Sequence, residues 1–339
     1  MRVPCLERST SVRTSTRRDV LECGDLSPLF TLRLSALRRQ SKAVTGPPSK
    51  ENSVKLAFST LGCPDWNLEQ IAKAARDYDY DAIELRAICG ELDLLKRPEF
   101  QRAEVESTHA WLVDQGLTVC CVDTSCRFDS PDDYERRSNV EVAVRHTELA
   151  AALGASLIRI FPDKIQPELT RNETRDNIAA CLREVAQRGF GDVRIALETH
   201  GDFARGYDAA EIMRIVDHHK VVLIWDVANS MASGDSIVEA ARAVSPYLAH
   251  VHLRDARAID GQEHWLPVLS GRGEVSFVET VEALRRLKYE GYISFEWEKY
   301  WHPEIEEPEV ALADFANAMK KVFKGSAKND RLIALAPGQ

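Results

Sequence analysis

No stretch of this sequence stays apolar for the ~18 residues a membrane-spanning helix needs, so a bilayer is not an expected partner. Paired metal-binding or redox cysteines are also missing. The eight cysteines (Cys5, Cys23, Cys63, Cys89, Cys120, Cys121, Cys126 and Cys181) include no CxxC spacing. This argues against a zinc ribbon or a disulfide scaffold and fits a reducing, cytoplasmic setting. No GxGxxG follows the first strand-like run; "STLGCPDW" lacks the glycine spacing that cradles a dinucleotide pyrophosphate. An excess of positive charge is absent as well. The 44 Lys and Arg against 53 Asp and Glu leave a net of −9, which argues against nucleic acid as a partner.

What charge there is lies unevenly. Residues 1–50 carry 10 basic and 4 acidic side chains, which leaves 34 basic and 49 acidic for the rest. Residues 1–53 are rich in Ser, Thr and Arg, show no periodicity and read as a flexible basic extension. The apolar stretch near Leu29–Leu37 is short and cut by Arg33, a poor fit to a secretory signal. With 44% hydrophobic and 29% charged residues, the remainder can build a large core. It divides into a folded region over 54–325 and a C-terminal tail over 326–339.

From Val54 the text alternates between short apolar runs and amphipathic stretches. The runs are "KLAFST", "DAIELR", "LTVCCVD", "SLIRIF", "VRIALET", "VVLIWDV", "LAHVHLR" and "YISFEWE". Helices are expected over "NLEQIAKAARDY" and near 98–115, 134–153, 171–188, 208–218, 235–244, 276–288 and 308–323. Strand–helix alternation implies parallel pairing, and eight repeats predict an α/β fold of the closed (β/α)₈ type, a TIM barrel.

In such a barrel alternate strand residues point inward, and chemistry sits at the C-terminal strand ends. In "IALETH" Ala196, Glu198 and His200 share one parity. In "LIWDVAN" Ile224 and Asp226 do, in "AHVHLRD" His250, His252 and Arg254, and in "ISFEWEK" Ser294, Glu296 and Glu298. The bulky apolar residues Leu197, Leu223, Trp225, Val251, Leu253, Phe295 and Trp297 fall on the other parity. Four adjacent strands therefore converge Glu198, Asp226, His252 and Glu296. Three carboxylates so close repel one another and raise their own pKa values unless a cation joins them. Three oxygens with one imidazole suit Mn²⁺, Mg²⁺ or Co²⁺ and admit Zn²⁺.

Each residue also has a plainer reading. Asp226 can cap the turn at Asn229–Ser230, and His252 can be a satisfied core histidine. Glu298 has the parity of Glu296 and competes with it. Glu84 and Arg86, inward at the end of the second strand, contact substrate or form a cross-barrel ion pair. His200 faces substrate or supports a ligand, and Arg254 binds substrate or pairs with Asp255 or a loop acid. His264, in "DGQEHW", can reach the mouth from above or simply lie exposed.

"DAIELR", "ALETHGDF", "LIWDVAN", "HVHLRDA", "GRGEVSF" and "GYISFEWE" together resemble the sugar phosphate isomerase/epimerase group of the xylose isomerase-like TIM barrels, from about Lys55 to Phe323. The resemblance implies one divalent metal held by Glu198, Asp226, His252 and Glu296. It also implies acid/base roles for Glu198 and Glu296 through an enediolate, a small-molecule sugar or cyclitol substrate, and allows a homo-oligomer. Many relatives carry Asp-x-x-His where this chain has Asp226-Val227-Ala228-Asn229; Asn229 can hydrogen-bond a substrate hydroxyl but cannot carry a proton. Arg254 stands where relatives often have Lys. The implied activity is isomerisation or epimerisation. An inosose-type dehydratase on the same site is the alternative, and an apurinic endonuclease or a non-catalytic sugar-binding barrel the more distant ones.

Overall fold

The apolar runs pair in parallel and close on themselves. The computed structural model describes residues 54–259 and 265–334, with side chains as far as 325. The strands are β1 (Lys55–Ser59), β2 (Ala82–Leu85), β3 (Thr118–Arg127), β4 (Leu157–Phe161), β5 (Arg194–Glu198), β6 (Val221–Asp226), β7 (Leu248–Leu253), β8 (Asp255–Arg257), β9 (Leu266–Val268) and β10 (Tyr292–Phe295). The barrel runs β1-β2-β3-β4-β5-β6-β7-β10 and returns to β1; β8 and β9 form a separate antiparallel pair in the loop after β7. The helices are α1 (Leu68–Tyr78), α2 (Val105–Asp114), α3 (Asp133–Ala152), α4 (Arg171–Arg188), α5 (Gly206–Val216), α6 (Val227–Ala232), α7 (Ile237–Val244), α8 (Phe277–Arg286) and α9 (Pro308–Ala334). The (β/α)₈ expectation holds. Among the described residues no helix is long and apolar enough to cross a membrane.

Local sequence explains the elements. Asn67 with Gln70, Thr170 with Glu173, and Ser236 with Glu239 form reciprocal capping boxes that start α1, α4 and α7. In α1 Leu68, Ile71, Ala72 and Ala75 are buried, the i, i+3, i+4, i+7 stripe that packs a helix on a sheet. Leu197, Leu223, Trp225, Val251, Leu253, Phe295 and Trp297 join the large core between barrel and helices. Ala57, Ala82, Cys120, Cys121, Leu157, Ala196, Val222 and Ile224 form a smaller cluster inside the barrel. Small residues there leave room for the large polar side chains nearer the mouth.

The turn that ends "ALETHGDF" needs its glycine. Gly201 has φ +57°, and a Cβ there would overlap the Asp163 carbonyl. The close approach lets the loops after β4 and β5 bond to each other: Asp202 N donates to Asp163 O (2.9 Å) and Ile165 N to the Asp202 carboxylate (2.7 Å).

Some expectations shift. The helix expected over 98–115 begins at Val105, preceded by 3-10 turns at Leu94–Lys96 and Pro98–Phe100. The third strand runs on to Arg127 with a register break after Asp123. An unforeseen helix, α6, starts at once after Asp226. The last helix continues to Ala334, into the span expected as tail. The extension over 1–53 and His264 lie outside the described residues.

Candidate metal centre

Strand register sets the site. Asp226 is paired with His252 across β6 and β7, Ser294 of β10 pairs with His252 on the other side, and Glu198 pairs with Ile224. Glu198 and Asp226 are the last residues of β5 and β6, His252 is the last but one of β7, and Glu296 lies one position past β10. Glu198, Asp226, His252 and Glu296 are buried, and each offers a ligand atom within 4.8 Å of the others.

The imidazole of His252 is held from behind. Its Nε2 bonds Glu84 Oε1 at 2.8 Å, and Glu84 Oε2 bonds His250 Nε2 at 3.1 Å. With Nε2 donating to Glu84, Nδ1 turns toward the acids. It lies 3.3 Å from Glu296 Oε2 and 3.7 Å from Glu198 Oε2 and has no hydrogen-bond partner. A carboxylate behind and a free ring nitrogen in front is the arrangement that orients a metal-binding histidine. A buried lone pair facing two carboxylate oxygens is tolerable only with a cation between them, either a proton or a metal. The donor set of three carboxylates and one imidazole therefore fits a divalent ion.

The electrostatics agree. Burial opposes charge on His252, but Glu296, Glu84 and Glu198 outweigh it and hold the imidazole well above its usual range. Burial also pushes Glu198 up, yet Arg159 and His252 hold it far below the usual carboxylate range. Glu296 is lowered in the same way, His252 outweighing burial. Asp226 goes the other way. Burial, aided by Glu296 and Glu198 and opposed by Arg254, pushes it up to about 7.

Three positions differ from the substrate-contact reading. Glu84 is fully buried with both oxygens on imidazoles, the cross-barrel pairing that its position allowed, and it positions His252. Asn229 has both ends of its amide occupied: Oδ1 accepts from Arg254 Nη2 (3.0 Å) and Nδ2 donates to Thr199 O (3.4 Å). These bonds tie it to Arg254. Arg254 pairs not with Asp255 but with Asp226 Oδ2 (2.6 Å), Glu296 Oε2 (3.4 Å) and Glu298 Oε1 (3.0 Å). Asp255 instead accepts from the backbone of Ala256, Gly273 and Val275 and folds the "GRGEV" loop. Asp226 does cap the turn, Oδ1 accepting from Asn229 N (2.8 Å), while its other oxygen belongs to the acid cluster. His200 lies half-buried at the mouth, 4.5 Å from the Phe161 ring centroid. Arg86 is buried, bonded to Ser125 Oγ (2.9 Å).

Sequence reasoning missed Arg159 and Asp123. Arg159 Nη1 donates to Glu198 Oε2 at 2.8 Å and Nη2 lies 3.6 Å from Asp123 Oδ2. Arg159 is a lone cation in "SLIRIF" on the parity opposite Ile158 and Ile160, and extending the parity argument to the third and fourth strands finds both residues.

Residues 72–322 match the family model of the xylose isomerase-like TIM barrel. An uncharacterized protein of Methanocaldococcus jannaschii is 28% identical over 180 residues, 49% of this chain and 59% of that one. The match therefore spans about three-fifths of that relative. A probable endonuclease 4 of Campylobacter concisus is 25% identical over 198 residues, 52% of this chain and 70% of that one. Among solved structures, an L-ribulose 3-epimerase superposes with TM-score 0.67 at 16% identity, covering 85% of this chain and all of the other. The IOLI protein, described with a binding zinc atom, gives 0.66 at 18% identity, covering 79% and 98%. At such identities the superpositions establish the fold. The family match covers most of the chain: this protein belongs to the xylose isomerase-like TIM-barrel family.

Proposed function

We propose that the protein is a divalent-metal-dependent isomerase or epimerase of a sugar, keto-sugar or cyclitol. The observation that carries this reading is the pair Glu198 and Glu296, both held ionised, on different strands and 3.7 and 3.3 Å from His252 Nδ1. Glu198, Asp226, His252 and Glu296 would hold the ion, of the Mn²⁺, Mg²⁺ or Co²⁺ kind with Zn²⁺ admitted. When bound, it supplies Lewis acidity to a carbonyl and its neighbouring hydroxyl.

The chain's own residues do the rest. Arg159 keeps Glu198 ionised, so its carboxylate starts as the acceptor for the proton on the carbon beside the carbonyl. Glu296, on a different strand and ionised at rest, takes a proton from solvent and delivers it to the opposite face or to the adjacent carbon, while Glu198 gives the proton it took back to solvent. Arg254, anchored by Asn229, Glu298 and Asp226, fixes the wall beside Glu296. His200 and Phe161 form a partly apolar rim that suits a sugar ring.

The Campylobacter relative raises a nuclease reading, but 49 acidic against 34 basic residues after position 50 disfavour a phosphate backbone. Incubating the protein in D₂O with divalent metal and a panel of ketoses, inososes and hydroxypyruvate tests the proposal. The expected result is carbon-bound deuterium in one substrate class, with composition otherwise unchanged. Exchange followed by loss of water identifies the dehydratase. No exchange with any of them, together with cleavage of abasic DNA, contradicts the proposal.

A further inference from the structure

We propose that Arg86, Ser125 and Arg159 form an oxyanion subsite in the half of the barrel facing the candidate ligands, where the substrate's own carboxylate or phosphoryl group is bound. This rests on the isomerase reading for its substrate and narrows that substrate to an acidic one, a sugar acid or a sugar phosphate.

The ligand candidates occupy β5, β6, β7 and the end of β10. Arg86 follows β2, Ser125 lies in β3 and Arg159 in β4, so the second group continues round the barrel from β5, with β1 alone between it and β10. Arg86 is 3% exposed, and its guanidinium meets only neutral acceptors, Ser125 Oγ at 2.9 Å and Leu92 O at 3.4 Å. Among the described residues no carboxylate lies within ion-pair distance of it. A buried arginine without an acid is costly. Burial and the adjacent Arg159 bring Arg86 down to about 10, and Asp123, Glu296 and Glu198, none of them within ion-pair distance, offset this only in part. Arg159 also retains capacity. Its Nε is buried without a hydrogen-bond partner, its Nη2 meets Asp123 Oδ2 only at 3.6 Å, beyond hydrogen-bond distance, and its guanidinium lies over the Phe161 ring, 3.7 Å from the centroid. Ser125 is exposed, so the buried Arg86 guanidinium that it binds lies directly beneath the surface. Two adjacent planar guanidinium groups, Arg159 with donors left over and Arg86 bonded only to neutral acceptors, suit a compact, multiply accepting anion. Arg159 also touches Glu198, so the subsite adjoins the metal centre and one small substrate can reach both.

Isothermal titration of the full chain with sodium phosphate and, separately, sodium malonate, at constant ionic strength with erythritol as a neutral control, tests this. At least one anion binds and erythritol does not. Binding of phosphate alone identifies a phosphoryl substrate, of malonate alone a carboxylate. Arg86→Met weakens the binding about tenfold or more while Tm holds or rises, because the buried charge has no ion-pair partner. Ser125→Asp places a carboxylate in the subsite, raises Tm and abolishes anion binding; being exposed, this position keeps a folded readout even if the Arg86 variant fails. Wild-type protein that binds neither anion, or a Ser125→Asp variant that binds as wild type does, overturns the proposal. These readouts need no turnover, so they separate failure of the subsite from failure of the isomerase reading.

Discussion

Glu198→Gln and Glu296→Gln each lower the rate of solvent-deuterium exchange by about 10²–10⁴-fold, the range that a positioned acid or base contributes. The substitutions keep shape and hydrogen-bonding capacity and remove only the ability to hold a proton at the carboxyl. Both groups are buried and held ionised by neighbours that stay in place, Arg159 and His252 for Glu198, His252 and Arg254 for Glu296. A glutamine at 198 still accepts from Arg159, so folding survives and the effect falls on proton transfer. The check is deuterium uptake per turnover by mass spectrometry, with metal content measured in parallel to separate loss of the ion from loss of the base. Wild-type exchange in either metal-loaded variant removes that residue from the proposed role.

The second large effect is on a residue that never meets substrate. Glu84→Ala leaves the buried Nε2 atoms of His250 and His252 without the carboxylate that holds them at 3.1 and 2.8 Å. Breaking a buried ion pair on one side costs about 3–5 kcal/mol. For a domain of this size that corresponds to a fall in Tm of about 10 °C. Freed of its partner, the His252 ring can turn, and metal affinity drops about 10–100-fold. Glu84→Gln keeps an acceptor for one imidazole and gives a smaller loss of both. Thermal unfolding with and without Mn²⁺, together with metal titration, reads both effects. A Glu84→Ala variant with wild-type Tm and affinity refutes the positioning role.

The two halves of the site differed in how far sequence reveals them. Glu198, Asp226, His252 and Glu296 are legible because each lies within one position of the end of a strand whose bulky neighbours, such as Trp225 and Phe295, fix which side faces the helices. Period-two alternation then dictates the inward side. The helices are legible where caps mark their starts, as at Thr170 and Ser236. What remained hidden depends on contacts between strands distant in sequence. That Glu84 crosses the barrel to β7, 168 residues away from His252, follows only once the barrel closes. The same holds for Arg159 and Glu198. Helix α6 was hidden for a local reason: its N-cap, Asp226, is also the last residue of β6, and six residues are too few to show a period. Asn229 carries no mark in sequence that its amide is engaged by Arg254 and Thr199.

The central claim is that the converging acids are joined by one cation. Exhaustively chelated protein titrated with Mn²⁺ and followed by calorimetry, with elemental analysis of the product, tests it most directly. The account predicts one ion per chain, with Asp226→Asn retaining it more weakly. Protein that takes up no Mn²⁺, Mg²⁺, Co²⁺ or Zn²⁺ after chelation, or that turns over substrate fully without one, contradicts it.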